Sequence, residues 1–171
     1  MEFFDVVKSR QSVRKYQDRS IEEEKLRTIL ETAALAPSAG NLQSYEIYVA
    51  RRASDRNALA QAALGQDFLA GAPIALVFCA NPGRARPKYG PRGMELYALQ
   101  DATIACTYAM VAAAALGLAS VWIGAFREDQ VRRAVRAREE VRPVAILAIG
   151  YAAERPELTP RREFDDLVHE L

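Results

Sequence analysis

Apolar positions divide the chain into helix-like stretches separated by short strand-like ones. Residues 2–8 place Phe3, Phe4, Val6 and Val7 on one face of a short helix. A polar, basic stretch, SRQSVRKY, follows. Beyond it Leu26, Ile29, Leu30, Ala33 and Ala34 recur at the spacing of an amphipathic helix. The preceding SIEE fits an S-x-x-E capping box, so Ser20 and Glu23 predict where that helix starts. Residues 45–51 read as a strand, and a helix with Ser54 near its cap runs on to about residue 64. PIALVFCA, at 73–80, is an unbroken apolar run of strand length, the pattern of a central strand. Residues 81–93 combine prolines and glycines with Arg84, Arg86, Lys88 and Arg92, which predicts a long loop suited to a lid or a binding site. An Ala-rich helix is expected over 94–116, a strand over 120–124 and a charged helix over 127–138. PVAILAIG, at 143–150, reads as another buried strand, and a last amphipathic turn ends at Leu171. This order predicts one three-layer domain over 1–171, α/β or α+β, with a single central sheet.

Composition narrows the function more than the fold. The length of 171 residues suits one domain with a real core. A formal net charge of +1 gives no global attraction to nucleic acid or anionic membrane. MEFFDVVKSR carries acids early and no long apolar core, so it does not read as a signal peptide. Cys79 and Cys106 lie in apolar contexts and read as buried thiols, which implies a reducing, cytoplasmic setting. Residues 102–126 carry no charge and are long enough to span a bilayer. They are rich in Ala, Thr and Ser, break at Gly117 and lack a basic flank, so a buried helix followed by a buried strand is expected instead.

Several chemistries are excluded by what is missing. His169, the single histidine, lies two residues from the C-terminus, where a Cys-His or Ser-His mechanism would depend on the chain end. No His and Cys cluster has metal-ligand spacing, and neither G-x-x-x-x-G-K-[ST] nor G-x-G-x-x-G occurs. Polar recognition remains, without an obvious acid, base or nucleophile, which points to chemistry carried by a bound cofactor. Three places could hold one. In SRQSVRKY, Arg10, Ser12 and Arg14 alternate, so in an extended chain they share one face and could converge on a phosphate. In APSAGNLQ, Pro37 and Gly40 shape a turn while Ser38, Asn41 and Gln43 donate and accept. TPRR adds Arg161 and Arg162. Each also has a plain reading, as a solvated basic turn, a helix stop and a solvated tail.

Together these stretches resemble the nitroreductase family of FMN-dependent oxidoreductases. SRQSVRKY is similar to its R-x-S-x-R motif, APSAGNLQSYEIYV to its A-P-S-x-x-N-x-Q-P-W motif, and residues 97–118 to its central helix. SVWIGAF, AILAIGYAAERPE and PRREFDDLVHEL follow in the family's order. The resemblance implies an α+β, three-layer sandwich with a mostly antiparallel central sheet flanked by helices. It implies an intertwined homodimer with FMN, tightly but non-covalently bound, at the subunit interface. By position, Arg10, Ser12, Arg14, Arg161 and Arg162 would hold the phosphate and ribityl chain. Pro37, Ser38, Asn41 and Gln43 would line the flavin, partly from the other subunit, and Ile123, Gly124 and Ala125 would pass beside the ring. Ser44-Tyr45 stands where the family often has Pro-Trp, and Ala152 where Pro often follows Gly-Tyr.

The implied activity is a ping-pong exchange at one site, in which NAD(P)H delivers a hydride and an electron-poor acceptor, such as a nitroaromatic or quinone, then takes its place. No protein side chain is expected to be catalytic and no metal is expected. Arg84, Arg86 and Tyr89 are the candidates for the substrate pocket, and the cations of 81–93 for meeting NAD(P)H phosphates. The family also contains reductive dehalogenases, a flavin-fragmenting enzyme and reductases of activated double bonds or aldehydes. A flavin-binding module without turnover, or a helical interaction protein without cofactor, are the readings from other classes.

Overall fold

A computed structural model describes residues 2–171. Four strands form one sheet: β1 (Tyr45–Ala50), β2 (Ile74–Ala80), β3 (Ala119–Ile123) and β4 (Arg142–Gly150). Their spatial order is β1-β2-β4-β3, and every pairing is antiparallel. β2 is buried along its whole length, as its apolar run predicts. Alternation along it feeds two cores. Leu76 and Phe78 face helices α2 (Glu23–Ala34) and α6 (Ala98–Ala115). Ala75, Val77 and Cys79 face α3 (Ala53–Ala62), α4 (Phe68–Gly71) and α7 (Glu128–Ala134). The result is the expected three-layer α+β sandwich. The register shifts between Phe78 and Cys79, opposite Pro143, where a missing backbone N–H is tolerated at a bulge.

Helix α6 runs across one face of the sheet. Ala98, Ala102, Ala105, Cys106, Ala109 and Ala113 are buried along it, and their small side chains let its backbone lie close to β2 and β4. By length and composition Pro82–Ala115 could cross a membrane, but its inner face is the main core of this sheet protein.

Four local expectations need correction. Residues 81–93 do not form a loop: they carry α5 (Pro82–Arg92), joined to α6 by a π-helical turn at Gly93–Tyr97. Pro82 occupies the first helical positions, where a missing N–H costs nothing. Gly90 breaks the helix at φ 56°, ψ −143°, which only glycine adopts readily. Gly93 packs so closely that a Cβ there would lie 2.9 Å from the Ala85 carbonyl oxygen. Second, Ser20 caps nothing. Helix α2 begins at Glu23 with Glu22 as its N-cap. Glu22 instead accepts hydrogen bonds from Arg19 (2.8 Å) and the Tyr151 hydroxyl (2.6 Å). Third, α1 (Phe3–Ser9) forms, but only Val6 is buried; Phe3 and Phe4 are 63% and 73% exposed. The helix over 127–138 is shorter than expected, ending at Ala134.

Candidate functional site

The basic stretch after α1 is extended, as its alternation requires. Arg10 has φ −62° and ψ 125°, and Ser12 bridges Ser120 at the outer edge of β3. The Val13 N–H donates to the Ser120 carbonyl (3.1 Å), and Val13 is buried. The Tyr16 hydroxyl donates to the carbonyls of Val13 (2.7 Å) and Ala148 (3.3 Å). Burial, reinforced by the Glu154 carboxylate, pushes the Tyr16 phenol well up, so it remains a neutral donor. Glu154 accepts the backbone N–H groups of Arg14 (2.6 Å) and Lys15 (3.1 Å). These bonds fix an arm whose other side opens onto a cavity of about 820 Å³. Arg10, Ser12 and Arg14 line it with Arg161 from the C-terminal segment; Glu157 is the acid on its wall. Arg162 does not line this cavity, and its guanidinium donates to the Asp166 carbonyl (3.1 Å). The guanidinium of Arg14 also lies over the Phe68 ring, 5.8 Å from its centroid.

The APSAGNLQ segment forms a 3₁₀ turn at Ala39–Asn41 with an unusual backbone. Gly40, Asn41 and Gln43 have φ of 56°, 59° and 43°. Asparagine tolerates this region, whereas for Gln43 it is a strain that its surroundings must sustain. Ser38 Oγ accepts the Gln43 N–H (3.0 Å), and Gln43 Nε2 donates to Asn41 Oδ1 (2.6 Å) and to the Asn41 carbonyl. Two of the amides expected to face a ligand thus brace each other, while Pro37 and Ser38 line a second cavity of about 580 Å³ with residues of α6.

What sustains the strain is Asp101, which the sequence reading does not single out as a site residue. Asp101 is 2% exposed, and its two oxygens accept the N–H groups of Ala39 (2.9 Å) and Ser44 (3.1 Å). One carboxylate thereby clamps both ends of the turn to the first turn of α6. Its signal was legible: no cation stands three or four residues away to pair it on a helix surface. The same contact gives a physical account of Ser44, since a proline there would lack the N–H that Asp101 accepts. Burial, and then the Asp101 charge, raise the Tyr45 phenol above its ordinary range.

Helix α5 covers this turn. Arg84 Nη1 donates to the Gln43 carbonyl (3.0 Å), and Lys88 and Tyr89 close over Gly40. Tyr89 meets Tyr97 edge to face at 5.1 Å. Arg86 makes no contact with the turn. At the end of β3, Ile123 is buried while Gly124 and Ala125 are exposed. The Ala125 carbonyl accepts from Gln66 (3.1 Å).

The cradle and the turn stand at opposite ends of α6. Arg10 lies beside Ala115 and Leu116, and the turn hangs from Asp101. The fifteen residues from Asp101 to Leu116 span about 22 Å of helix axis at 1.5 Å per residue. Among the described residues no group of His, Cys, Asp and Glu could hold a metal ion.

Comparison with known proteins gives a consistent set of likenesses. A family model described as "Nitroreductase family" matches residues 7–67 and 58–151. An "NADH dehydrogenase" of Thermus thermophilus is 31% identical, with 85% of this chain and 84% of that protein covered. An "FMN reductase [NAD(P)H]" of Bacillus subtilis is 30% identical, covering 97% and 73%. The solved NADPH:FMN oxidoreductase from Vibrio harveyi complexed with NAD+ superposes with a TM-score of 0.90 at 27% identity, covering 98% of this chain and 76% of that one.

Proposed function

The chain belongs to the nitroreductase family, and on that basis we propose that it is an FMN-dependent oxidoreductase using NAD(P)H to reduce nitroaromatics, quinones or similar electron-poor acceptors. The observation that carries the cofactor assignment is the cradle. Arg10, Ser12, Arg14 and Arg161 line one cavity, with one Arg161 nitrogen donating to the Thr159 carbonyl (3.0 Å) and its other donors left over. That donor set suits a phosphate dianion, since guanidinium forks match its oxygens in pairs. Arg162, whose donor is engaged by Asp166, is at most an auxiliary to it.

FMN, when bound, supplies the redox chemistry, exchanging a hydride with the nicotinamide and electrons with the acceptor. The chain's own residues bind and orient. The arm fixed by Tyr16 and Glu154 holds the phosphate end. Ile123, at the end of β3, and Gly124 and Ala125 just beyond it lie roughly 10–17 Å from Ser120 at about 3.3 Å per residue, beside the ring. Pro37, Ser38, Asn41 and Gln43 line the ring, with Asn41 Nδ2 donating to no protein atom and thus available to a ligand. Arg84, Arg86 and Tyr89 border the place where nicotinamide and acceptor alternate. No catalytic acid or base is required of the protein.

The separation along α6 supports a composite site. The turn and the cradle lie near ends of α6 about 22 Å apart along its axis, which favours a site in which the turn of a second copy meets the cofactor held by the first. The protein is therefore proposed as a homodimer, its apolar α1 face (Phe3, Phe4 and Val7) and the exposed Leu158, Phe164, Leu167 and Val168 of the tail buried by association. Free, buried Cys79 and Cys106 fit a reducing, cytoplasmic setting. The test is an absorption spectrum of the purified protein, followed by NADH and then NADPH without oxygen. A flavin spectrum that bleaches supports the reading. A flavin spectrum that does not bleach leaves a binding module, and no flavin after FMN is added back refutes the assignment.

A further inference from the structure

Helix α5 carries Arg84, Arg86, Lys88 and Arg92 and no acid, and none of the four forms an ion pair among the described residues. Elsewhere the chain pairs some of its surface arginines, as at Arg27–Glu31, Arg51–Glu23 and Arg142–Glu128. The only acid in the adjoining π-turn, Glu95, joins none of them.

Two of the four are not spread at random. Arg84 and Lys88, at i and i+4, share one helix face that meets the strained turn, and the long side chain of Tyr89 beside them reaches the same turn. Lys88 Nζ and Tyr89 Oη each lie 2.5 Å from the point a Cβ on Gly40 would occupy, so both polar atoms cap the same spot. Gly40 is favoured by its φ of 56°, and a Cβ there would also push the Lys88 and Tyr89 ends aside. Arg84 spends one N–H on the Gln43 carbonyl (3.0 Å) and keeps its other donors. Lys88 spends none, and its ammonium sits 5.4 Å from the Tyr89 ring centroid. Arg92 is engaged by the Tyr97 hydroxyl (3.0 Å), and Arg86 lies off this face.

We infer that Lys88, Tyr89 and Arg84 form an oxyanion site above the turn, which selects ligands carrying a phosphate, sulfonate or carboxylate beside the ring that enters. This rests on the proposed flavin chemistry and adds to it a charge preference centred on Lys88. Two ligands could present the oxyanion, the reductant through its diphosphate and the acceptor through an anionic substituent.

The two half-reactions separate these sources in stopped-flow measurements on the FMN-loaded protein. NADH is the reductant, and a naphthoquinone with and without a sulfonate group are the acceptors. Lys88→Gln, whose exposed side chain leaves the fold intact, is compared with Lys88→Arg and with Arg84→Gln, and FMN occupancy is checked for each. Loss of one exposed charge pair is expected to lower the sulfonated-to-neutral rate ratio about fivefold, with Lys88→Arg retaining it. That result assigns the oxyanion to the acceptor. A similar fall in the second-order rate of reduction by NADH, with the quinone ratio unchanged, assigns it to the reductant. If neither half-reaction changes, and raising salt affects the variant and the parent equally, the oxyanion site is refuted while the flavin reading stands. A parent protein reduced by neither NADH nor NADPH refutes the flavin reading, and the oxyanion site with it.

Discussion

Replacing Asp101 tests whether a single buried carboxylate sustains the strained turn. In Asp101→Asn the amide oxygen can accept one of the two N–H groups now bound to the carboxylate, and its NH₂ must face the other. Ser44 is fully buried, so its N–H has no water to turn to; Ala39, at the half-exposed side of the turn, has. An orphaned buried N–H costs about 1–3 kcal/mol, and the surviving bond weakens by about 1 kcal/mol as it loses its charge. Relief from burying a carboxylate offsets part of this. The net expectation is a loss of about 2 kcal/mol, or a fall of about 4–8 °C in melting temperature for a chain of this size. The loss is local in origin, so Gln43 and Asn41 leave their left-handed conformations first, and FMN affinity falls about tenfold or more if the turn lines the ring. Thermal unfolding and fluorescence titration with FMN read the two effects. Ser44→Pro removes the same N–H, so combining it with Asp101→Asn should cost clearly less than the sum of the two. Unchanged melting and unchanged FMN affinity in Asp101→Asn would refute the clamp.

Other expectations follow from the cradle and the core. Tyr16→Phe removes the hydroxyl that ties Val13 to β4 and should cost about 1 kcal/mol in urea unfolding, with FMN affinity falling while its absorption spectrum, if bound, is unchanged. Gly150→Ala places a Cβ 2.7 Å from both Pro73 and Tyr16 and should destabilise by about 1–3 kcal/mol, read by the same unfolding assay. Glu22 is held down to about 2, first by the Tyr151 hydroxyl and then by its own backbone and by Arg19, against an ordinary 4.5. A depressed carboxylate stabilises above its unfolded value and ceases to as pH falls through its folded one. The melting-temperature gap between the parent and Glu22→Gln should therefore be constant above pH 5 and close between pH 4.5 and 2. Burial pushes the Cys79 thiol up to about 12 and Cys106 well above its ordinary range, so neither should react with iodoacetamide at pH 8 until the chain is unfolded.

The sheet was legible because β2 and β4 are apolar without interruption, and no other element of their length can bury both faces. That Arg10, Ser12 and Arg14 line one cavity was legible because side chains at alternate positions of an extended chain share a face. Helix α5 was not, because Pro82, Pro87 and Pro91 argue against a helix by propensity. Pro82 falls where proline is welcome, and Gly90 and Gly93 admit the break and the close packing that follow. The Ser20 cap failed for a tertiary reason: Glu22 is claimed by Tyr151, more than a hundred residues away, and local pattern cannot see that partner. Asp101 was missed because one acid at the border of an apolar helix looks like a solvated flank until the turn that needs it is placed above.

The misses at α5 and at Asp101 share a cause that bears on the site. The turn at 38–43 is strained, and nothing within it accounts for that strain. Its support comes from α6 through Asp101 and from α5 through Arg84, Lys88 and Tyr89, while the proposed phosphate cradle is assembled from the extended arm after α1 and from the C-terminal segment. A backbone held in left-handed conformations at Asn41 and Gln43 costs stability in the isolated chain. It persists because one carboxylate and one helix over-determine it, and it has no structural purpose within a single copy. The amide-rich turn therefore makes physical sense as a preformed wall for a ligand, and in the proposed dimer that ligand's phosphate is held by the arm of another copy. Pre-organisation of that kind shifts the ordering cost from binding to folding, which is why loosening Asp101 should be felt in cofactor affinity as well as in stability.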